Sequence, residues 1–389
     1  MTDIQKENKS GGKVPNLRFP EFKEGWEVKK LGEISTNKSK KYNPNNETNF
    51  IKCIELEHLS SETGQLLGFV DGSQSGSIKN VFQKGDVLFG KLRPYLKKYY
   101  QPNFDGVCSS EIWVLNGKEI LNDFLYYLIQ TNSFVDLANQ SSGSKMPRAD
   151  WSILENGLFS FPNSEEQQKI ASFLSLIEER IQTQNKIIKG LKSLKIALAK
   201  KIFLQELRLK DDNGNDFPEW EEDCLENVCD IKKGEQFNKE DLNEIGLYPC
   251  LNGGISPSGF SEKYNTDENT ITISEGGNSC GFVNIMKTKF WLGGHCYKIL
   301  LFKKISLMYF YQLLKFNEQN VMNLRVGSGL PNIQMKSLKR FTIKISTSES
   351  EQNKIANFLS AIDSKIDIES QLLQKFEEQK KFLLQNMFV

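Results

Sequence analysis

Apolar side chains return every four, then three, residues along two long stretches of this chain. One seam runs through Ile170, Leu174, Ile177, Ile181, Gln184, Ile188, Leu191, Lys195, Leu198 and Ile202. The other runs through Ile355, Leu359, Ile362, Ile366, Glu369, Leu373, Phe376, Lys380, Leu383 and Met387. Spacing kept over several heptads predicts helices that pair as a coiled coil rather than lone surface helices. At about 1.5 Å per residue each is a rod of roughly 57 Å. Upstream of each, the pattern changes to short apolar runs broken by Gly, Asn, Pro and Ser. DVLF and SEIWVL lie between Trp26 and about Asp150; TITIS, FVNIM and CYKILLF lie between Trp220 and about Gln334. These runs predict strands and loops, with one shorter helix per region near residues 122–132 and 306–316.

The two long segments open on nearly the same words, EQQKIASFLS (Glu166–Ser175) and EQNKIANFLS (Glu351–Ser360), 185 residues apart. They stay in step for 38 residues, to Phe203 and Phe388. Upstream, Gly143-Ser144 with Pro147 answers Gly327-Ser328 with Pro331, and FLYYLI (Phe124–Ile129) answers YFYQLL (Tyr309–Leu314). FPEF and WEVKKLGEI around Trp26 are echoed by FPEWEEDCLENV around Trp220. A period of this length sets the whole architecture. The expected fold is mixed α+β: two tandem globules from a duplication, each followed by a long helix.

Composition narrows the function. With 50 basic and 49 acidic residues the net charge is +1, so no overall field draws the chain to nucleic acid or membrane, and any such affinity must be local. The polar first fourteen residues lack the apolar core of a signal peptide, and no run approaches the roughly 18 to 20 apolar residues that span a bilayer. Seven cysteines without a signal peptide read as reduced thiols, and the expected location is the cytoplasm. There are two histidines, His58 and His295, and Cys224 and Cys229 have no second pair at matching spacing, so no metal is expected. Neither GxxxxGK[ST] nor GxGxxG is present, and SEGGNSCG (Ser274–Gly281) reads as a turn. No Asp/Glu pair recurs in the two halves as a duplicated catalytic site would. What repeats is scaffold and what diverges is the globules, a pattern that suits fixed spacers holding two different readers.

One segment carries candidate binding chemistry. GDVLFGKLRPYLKKYY (Gly85–Tyr100) sets Lys91, Arg93, Lys97 and Lys98 among Tyr95, Tyr99 and Tyr100. Cations neutralise phosphates, Arg can grip guanine edges bidentately, and aromatic rings can pack on sugar or base. The same stretch also fits a strand with solvated lysines on one face. Lys145 and Arg148 follow in GSKMPRADW, and the second half offers Lys232, Lys233, Asn278, Lys287, Lys289 and Arg325 in loops or strand ends.

GDVLFGKLRPYLKK, with the doubled module GSKMPRADW…FPNSEEQQKIASFL and GSGLPNIQMKSL…ESEQNKIANFL, resembles the specificity subunit of type I restriction–modification systems from about Pro15 to Val389. The second half departs from it, with TITISEGGNSCGFV where the first has GDVLFGKLRPY. The resemblance implies a tail at residues 1–14, target recognition domains at 15–150 and 211–335, and conserved regions carrying the long helices at 151–210 and 336–389. It implies a non-catalytic chain that reads a bipartite duplex DNA site. The chain would bind no cofactor, joining two methyltransferase subunits that hold S-adenosylmethionine and, optionally, two restriction subunits, with no membrane. The competing reading is a scaffold whose two globules bind protein or glycan, with the helices as spacer.

The seams also predict a register. Antiparallel helices give a duplicated unit approximate two-fold symmetry, and setting Lys195 against Glu369 and Gln184 against Lys380 gathers the polar seam residues into layers. A one-heptad slide would press Lys195 onto Ile362 and Lys380 onto Ile177, burying unpaired charge. The expected paired length, Ile177 to Ile202, is roughly 39 Å, near one ~34 Å DNA turn, as a ruler between half-sites needs.

Overall fold

The computed structural model describes residues 14–46, 49–140, 146–238, 240, 242–302, 305–327 and 329–389. The expected tail, apart from Val14, lies outside the described residues, as do Lys145, Gly143, Ser144 and Ser328. The chain forms two compact units, Met1–Gln184 with Leu372–Val389, and Asn185–Gln371.

In the first unit Glu27–Lys30 pairs antiparallel with Leu158–Phe161. A four-stranded antiparallel sheet contains β1 (Ser35–Thr36), β2 (Val87–Gly90), β3 (Tyr99–Tyr100) and β4 (Ile112–Gly117) in the order β1-β4-β2-β3. All four residues of β2 are buried, so DVLF reads as an unbroken apolar run rather than an alternating one. A five-stranded sheet adds Lys41–Tyr42, Lys79–Phe82, Gly106–Cys108, Lys52–Ile54 and Val70–Asp71. The core gathers Trp26, Phe89, Phe124 and Phe134 with Ile170, Leu174 and Ile177 of the first long helix (Ser164–Phe203) and Leu383 and Met387 of the second (Glu349–Asn386).

The second unit repeats this plan. Glu221–Cys224 pairs with Thr342–Ile345. Strands β5 (Cys229–Lys233), β6 (Thr270–Ser274), β7 (Val283–Met286) and β8 (Cys296–Leu301) form an antiparallel sheet in the order β5-β8-β6-β7. Position by position this is the first sheet, so β6, the TITIS strand, is the counterpart of β2. The other sheet here has three strands, Gly259–Ser261, Tyr248–Leu251 and Trp291–Leu292. Ile202 and Phe203 of the first long helix share this unit's core with Ile355, Ala356 and Leu359 of the second.

The repeated Glu-Gln at the root of each long helix is buried. Gln167 accepts the Leu121 N–H (2.8 Å) and donates to the Pro162 carbonyl (2.8 Å); Gln352 accepts the Ser306 N–H (2.9 Å) and donates to the Ser346 carbonyl (2.8 Å). Each glutamine thus ties a long-helix root to the start of the globule's shorter helix. Glu166 accepts both Nε and Nη2 of Arg18, at 2.7 Å each. Its repeat Glu351 accepts the Trp220 indole (2.8 Å) and the Ser346 hydroxyl (2.6 Å), while the indole nitrogen of Trp26 is buried without a partner among the described residues.

Within each unit the long helices run antiparallel, but not in the expected register. Lys380 pairs with Glu178 (2.6 Å) in the first unit and Lys195 with Asp363 (2.7 Å) in the second. The arrangement that set Lys195 against Glu369 and Gln184 against Lys380 is replaced by one close to the heptad slide it was preferred over. Seam spacing alone pairs seam residues only with one another and leaves the flanking acids out. Glu178 and Asp363 sit one position beyond Ile177 and Ile362, and each reaches in to meet the lysine, so the slide buries no unpaired charge. Both ion pairs are repeats of one another, and a helix of the globule joins each: the Tyr127 hydroxyl lies 3.4 Å from Glu178, and Gln312, 185 residues on, donates to Asp363 at 2.8 Å.

All seven cysteines are free thiols, and six are buried. Burial pushes Cys53 and Cys229 up to about 12 and Cys296 to about 11, which leaves them as thiols at neutral pH. Thiol labelling of the folded chain is therefore expected to modify half-exposed Cys224 first, the rest reacting only as denaturant unfolds each unit. Mass spectrometry of the labelled peptides checks this.

Candidate nucleic-acid interface

In the first unit the basic segment leaves the sheet at the end of β2. A Cβ at Gly90 would meet Leu56 Cδ1 at 2.6 Å, so the strand ends on glycine where the chains close up. Beyond it, Lys91 donates its N–H to the Glu111 carbonyl (2.9 Å), and Ala149 donates to the Lys91 carbonyl (2.8 Å). Leu92 pairs with Arg148, and the Arg93 N–H meets the Pro147 carbonyl at 2.7 Å. A short 3-10 turn, Pro94–Leu96, follows, flanked by Arg93 (φ 53°) and Lys97 (φ 47°), both left-handed. Non-glycine residues hold that conformation at roughly 1–3 kcal/mol each and need support from their surroundings. Support comes from Glu62 N–H to the Lys97 carbonyl (3.0 Å), Lys98 Nζ to the Leu56 carbonyl (2.8 Å) and the Tyr99 hydroxyl to the Glu62 carbonyl (2.6 Å).

The basic set therefore divides. Lys98 and Tyr99 brace the turn from inside. Arg93 and Tyr95 are exposed and Lys91 and Lys97 half-buried; none of these four has a side-chain partner among the described residues. Arg148 is exposed beside them and paired with Glu111 at 3.0 Å.

The second unit builds the same clamp from different residues. After β6, Ile333 donates to the Glu275 carbonyl (2.8 Å), Gly276 pairs with Asn332, and the Gly277 N–H meets the Pro331 carbonyl (3.0 Å). Glu275, Gly276 and Gly277 thus stand where Lys91, Leu92 and Arg93 stand in the first unit. Gly277 turns the chain with φ +75°, and exposed Asn278 is carried on that turn. Val326 and Asn332 close a loop by paired backbone bonds (2.8 and 3.0 Å), with Arg325 exposed at its base. Burial raises the Cys280 thiol, and the Arg325 charge opposes that rise in part.

Four of the second unit's candidates are engaged elsewhere. Lys233 pairs with Glu275 at 2.7 Å, and the Tyr297 hydroxyl donates to the same carboxylate. Lys232 faces Asp230 at 3.5 Å and Lys287 faces Asp367 at 3.9 Å. Lys289 donates to the Tyr264 hydroxyl (3.2 Å) and lies 4.5 Å from that ring's centre, and the hydrogen bond raises its pKa. The repeat marked Pro147 and Pro331 but not their place in each clamp, where their carbonyls accept the N–H of Arg93 and Gly277. The repeated Gly-Ser and Pro were the signal that could have found that place.

Among the described residues no group of three or more His, Cys, Asp or Glu is arranged to hold a metal, and no helix is long and apolar enough to cross a membrane.

The family model of the type I restriction modification DNA specificity domain matches this chain twice, over residues 23–193 and 218–378. A Mycoplasma genitalium protein with the type I specificity-subunit designation S.MgeORF438P is 33% identical over 157 residues, 40% of this chain and 41% of that protein. The chain thus matches about two fifths of that relative's length. The MjaVIII specificity subunit of Methanocaldococcus jannaschii is 26% identical over 375 residues, 86% of this chain and 80% of its own. The crystal structure of the type I S subunit from M. genitalium shares the fold with a TM-score of 0.62 at 19% identity, over 97% of this chain and 99% of that one. With both halves matched and the clamp built in each, this chain belongs to the type I restriction modification DNA specificity domain family.

Proposed function

We propose that this chain is the sequence-reading subunit of a type I restriction–modification complex, with residues 15–150 and 211–335 each reading one half of a split duplex site. The observation that carries this is the clamp built once per unit at the end of a buried central strand. In the first unit it holds the Arg93 side chain out with no side-chain partner among the described residues, and a planar guanidinium can take guanine O6 and N7 together. Lys91, Lys97 and Arg148 would meet phosphates, Tyr95 would pack on sugar or base, and Asn278 and Arg325 are the readers in the second unit. Lys98 and Lys233 are already held by the protein and contribute less.

In this reading the chain performs no chemistry and works in the cytoplasm on DNA. Methyl transfer from S-adenosylmethionine belongs to two methyltransferase subunits, and two restriction subunits would complete a cleaving complex. Residues 151–210 and 336–389 hold the methyltransferases and set the half-site spacing. Their outer faces support this. Ile187 (40% exposed), Leu194 (50%), Phe358 (41%) and Ile368 (64%) lie bare on the long helices in the second unit, as do Leu176 (56%), Leu372 (38%) and Phe382 (57%) in the first. Side chains exposed along these helices offer apolar surface that a partner could cover.

Methylation sequencing of DNA from cells carrying the chain and its methyltransferase is expected to show a two-part motif modified on both strands. Arg93→Ala should relax one half of that motif, at about 1–3 kcal/mol per lost bidentate contact, and leave the other half intact. A continuous motif, or equal relaxation of both halves, would refute independent half-site reading.

A further inference from the structure

The clamps differ in the residues they take from the strand end, Lys-Leu-Arg against Glu-Gly-Gly, yet both present a bare apolar side chain at the position just before the clamp proline. Met146 is 52% exposed and Leu330 is 85% exposed. Each immediately precedes the proline whose carbonyl accepts the N–H of Arg93 or Gly277. A single exposed apolar residue is ordinary. These two occupy matching positions in globules that have otherwise diverged, on loops fixed by backbone pairing to the proposed reading segment, with Arg93 and Arg148 beside one and Arg325 and Asn278 beside the other. Apolar character kept at one place, Met in one globule and Leu in the other, while the reading neighbours change is suited to a contact common to both half-sites. In duplex DNA the common apolar target is the base stack.

Resting on the reading above, we infer that Met146 and Leu330 are wedges. Each enters its half-site and presses between neighbouring base pairs, partly unstacking one step, while the cations beside it hold the flanking phosphates. Side chains of this size, Met and Leu among them, open steps and bend the duplex in this way. The wedge adds no base preference through hydrogen bonding. It favours steps that unstack readily, such as TA and CA.

The test uses the complex with its methyltransferase on duplexes carrying 2-aminopurine at single positions of each half-site, away from the methylated adenine. Binding by the unaltered complex should raise fluorescence at one step per half-site. Met146→Ala should abolish the rise in the half-site relaxed by Arg93→Ala and keep the other; Leu330→Ala should do the reverse. Base recognition away from the wedged step should persist in both, with relaxation confined to that step, and co-purification with the methyltransferase should be undiminished. A complex that methylates a split motif with no local rise at any step overturns the wedge while leaving DNA reading intact. So does a rise that survives both substitutions. Loss of methyltransferase co-purification with normal DNA affinity would overturn it as well, assigning the tips to a protein interface. Absence of any split motif would instead refute the underlying reading.

Discussion

Replacing Arg18 with alanine is expected to destabilise the first unit by about 3–5 kcal/mol, the usual cost of removing one partner from a buried ion pair. Glu166 has a side chain only 1% exposed and both its oxygens on Arg18, whose Nη2 also donates to the Glu24 carbonyl at 2.6 Å. Without the guanidinium a carboxylate is left dry in the first turn of the first long helix, at the junction with the globule. Urea unfolding, with a probe confined to the first unit, should show the midpoint fall. Arg18→Ala with Glu166→Leu should recover most of the loss, because an apolar pair of similar volume is tolerated where a lone charge is not. The second unit solves the same problem with neutral donors, so Ser346→Ala should cost less, about 1–3 kcal/mol. A loss below about 1 kcal/mol for Arg18→Ala would mean the pair behaves as a surface salt bridge does.

Charging the bare helix faces is expected to remove methyltransferase binding while leaving the fold in place. Phe358→Asp with Ile368→Asp in the second unit, or Leu372→Asp with Phe382→Asp in the first, introduces charges where the proposed partner would bury apolar surface. Centrally buried interface residues contribute about 2 kcal/mol or more each, so each pair should weaken association at least about a hundredfold. All four sites are exposed in the chain itself, and exposed substitutions usually move stability within about 0.5 kcal/mol. Co-purification and calorimetric titration with the methyltransferase read the effect, and thermal unfolding is the control. Undiminished binding by both double variants would show that the partner docks elsewhere.

Much of the architecture was legible because it is periodic. Side chains spaced by four and three residues fall on one helix face whatever surrounds them, so the seams from Ile170 and Ile355 predicted the long helices, and the 185-residue repeat predicted the shared plan. The basic run was legible as composition. Its division was not, because whether Lys98 braces a turn and Arg93 stands clear depends on which carbonyls lie within reach, and Leu56 and Pro147 come from distant parts of the chain.

Tertiary structure alone settled three further matters. It made Glu275-Gly276-Gly277 the counterpart of Lys91-Leu92-Arg93 through matched backbone bonds, although the side chains share nothing. It gave Glu166 and Glu351 different donors at the same place, since a buried carboxylate must be satisfied and any nearby donor will serve. It also chose the helix register, where a flanking acid reaching a seam lysine cancels the charge penalty by which the sequence argument had ranked the alternatives. Periodicity is a property of neighbours along the chain and can be read from it. Satisfaction of buried charge depends on groups brought together from afar, and only the folded chain decides it.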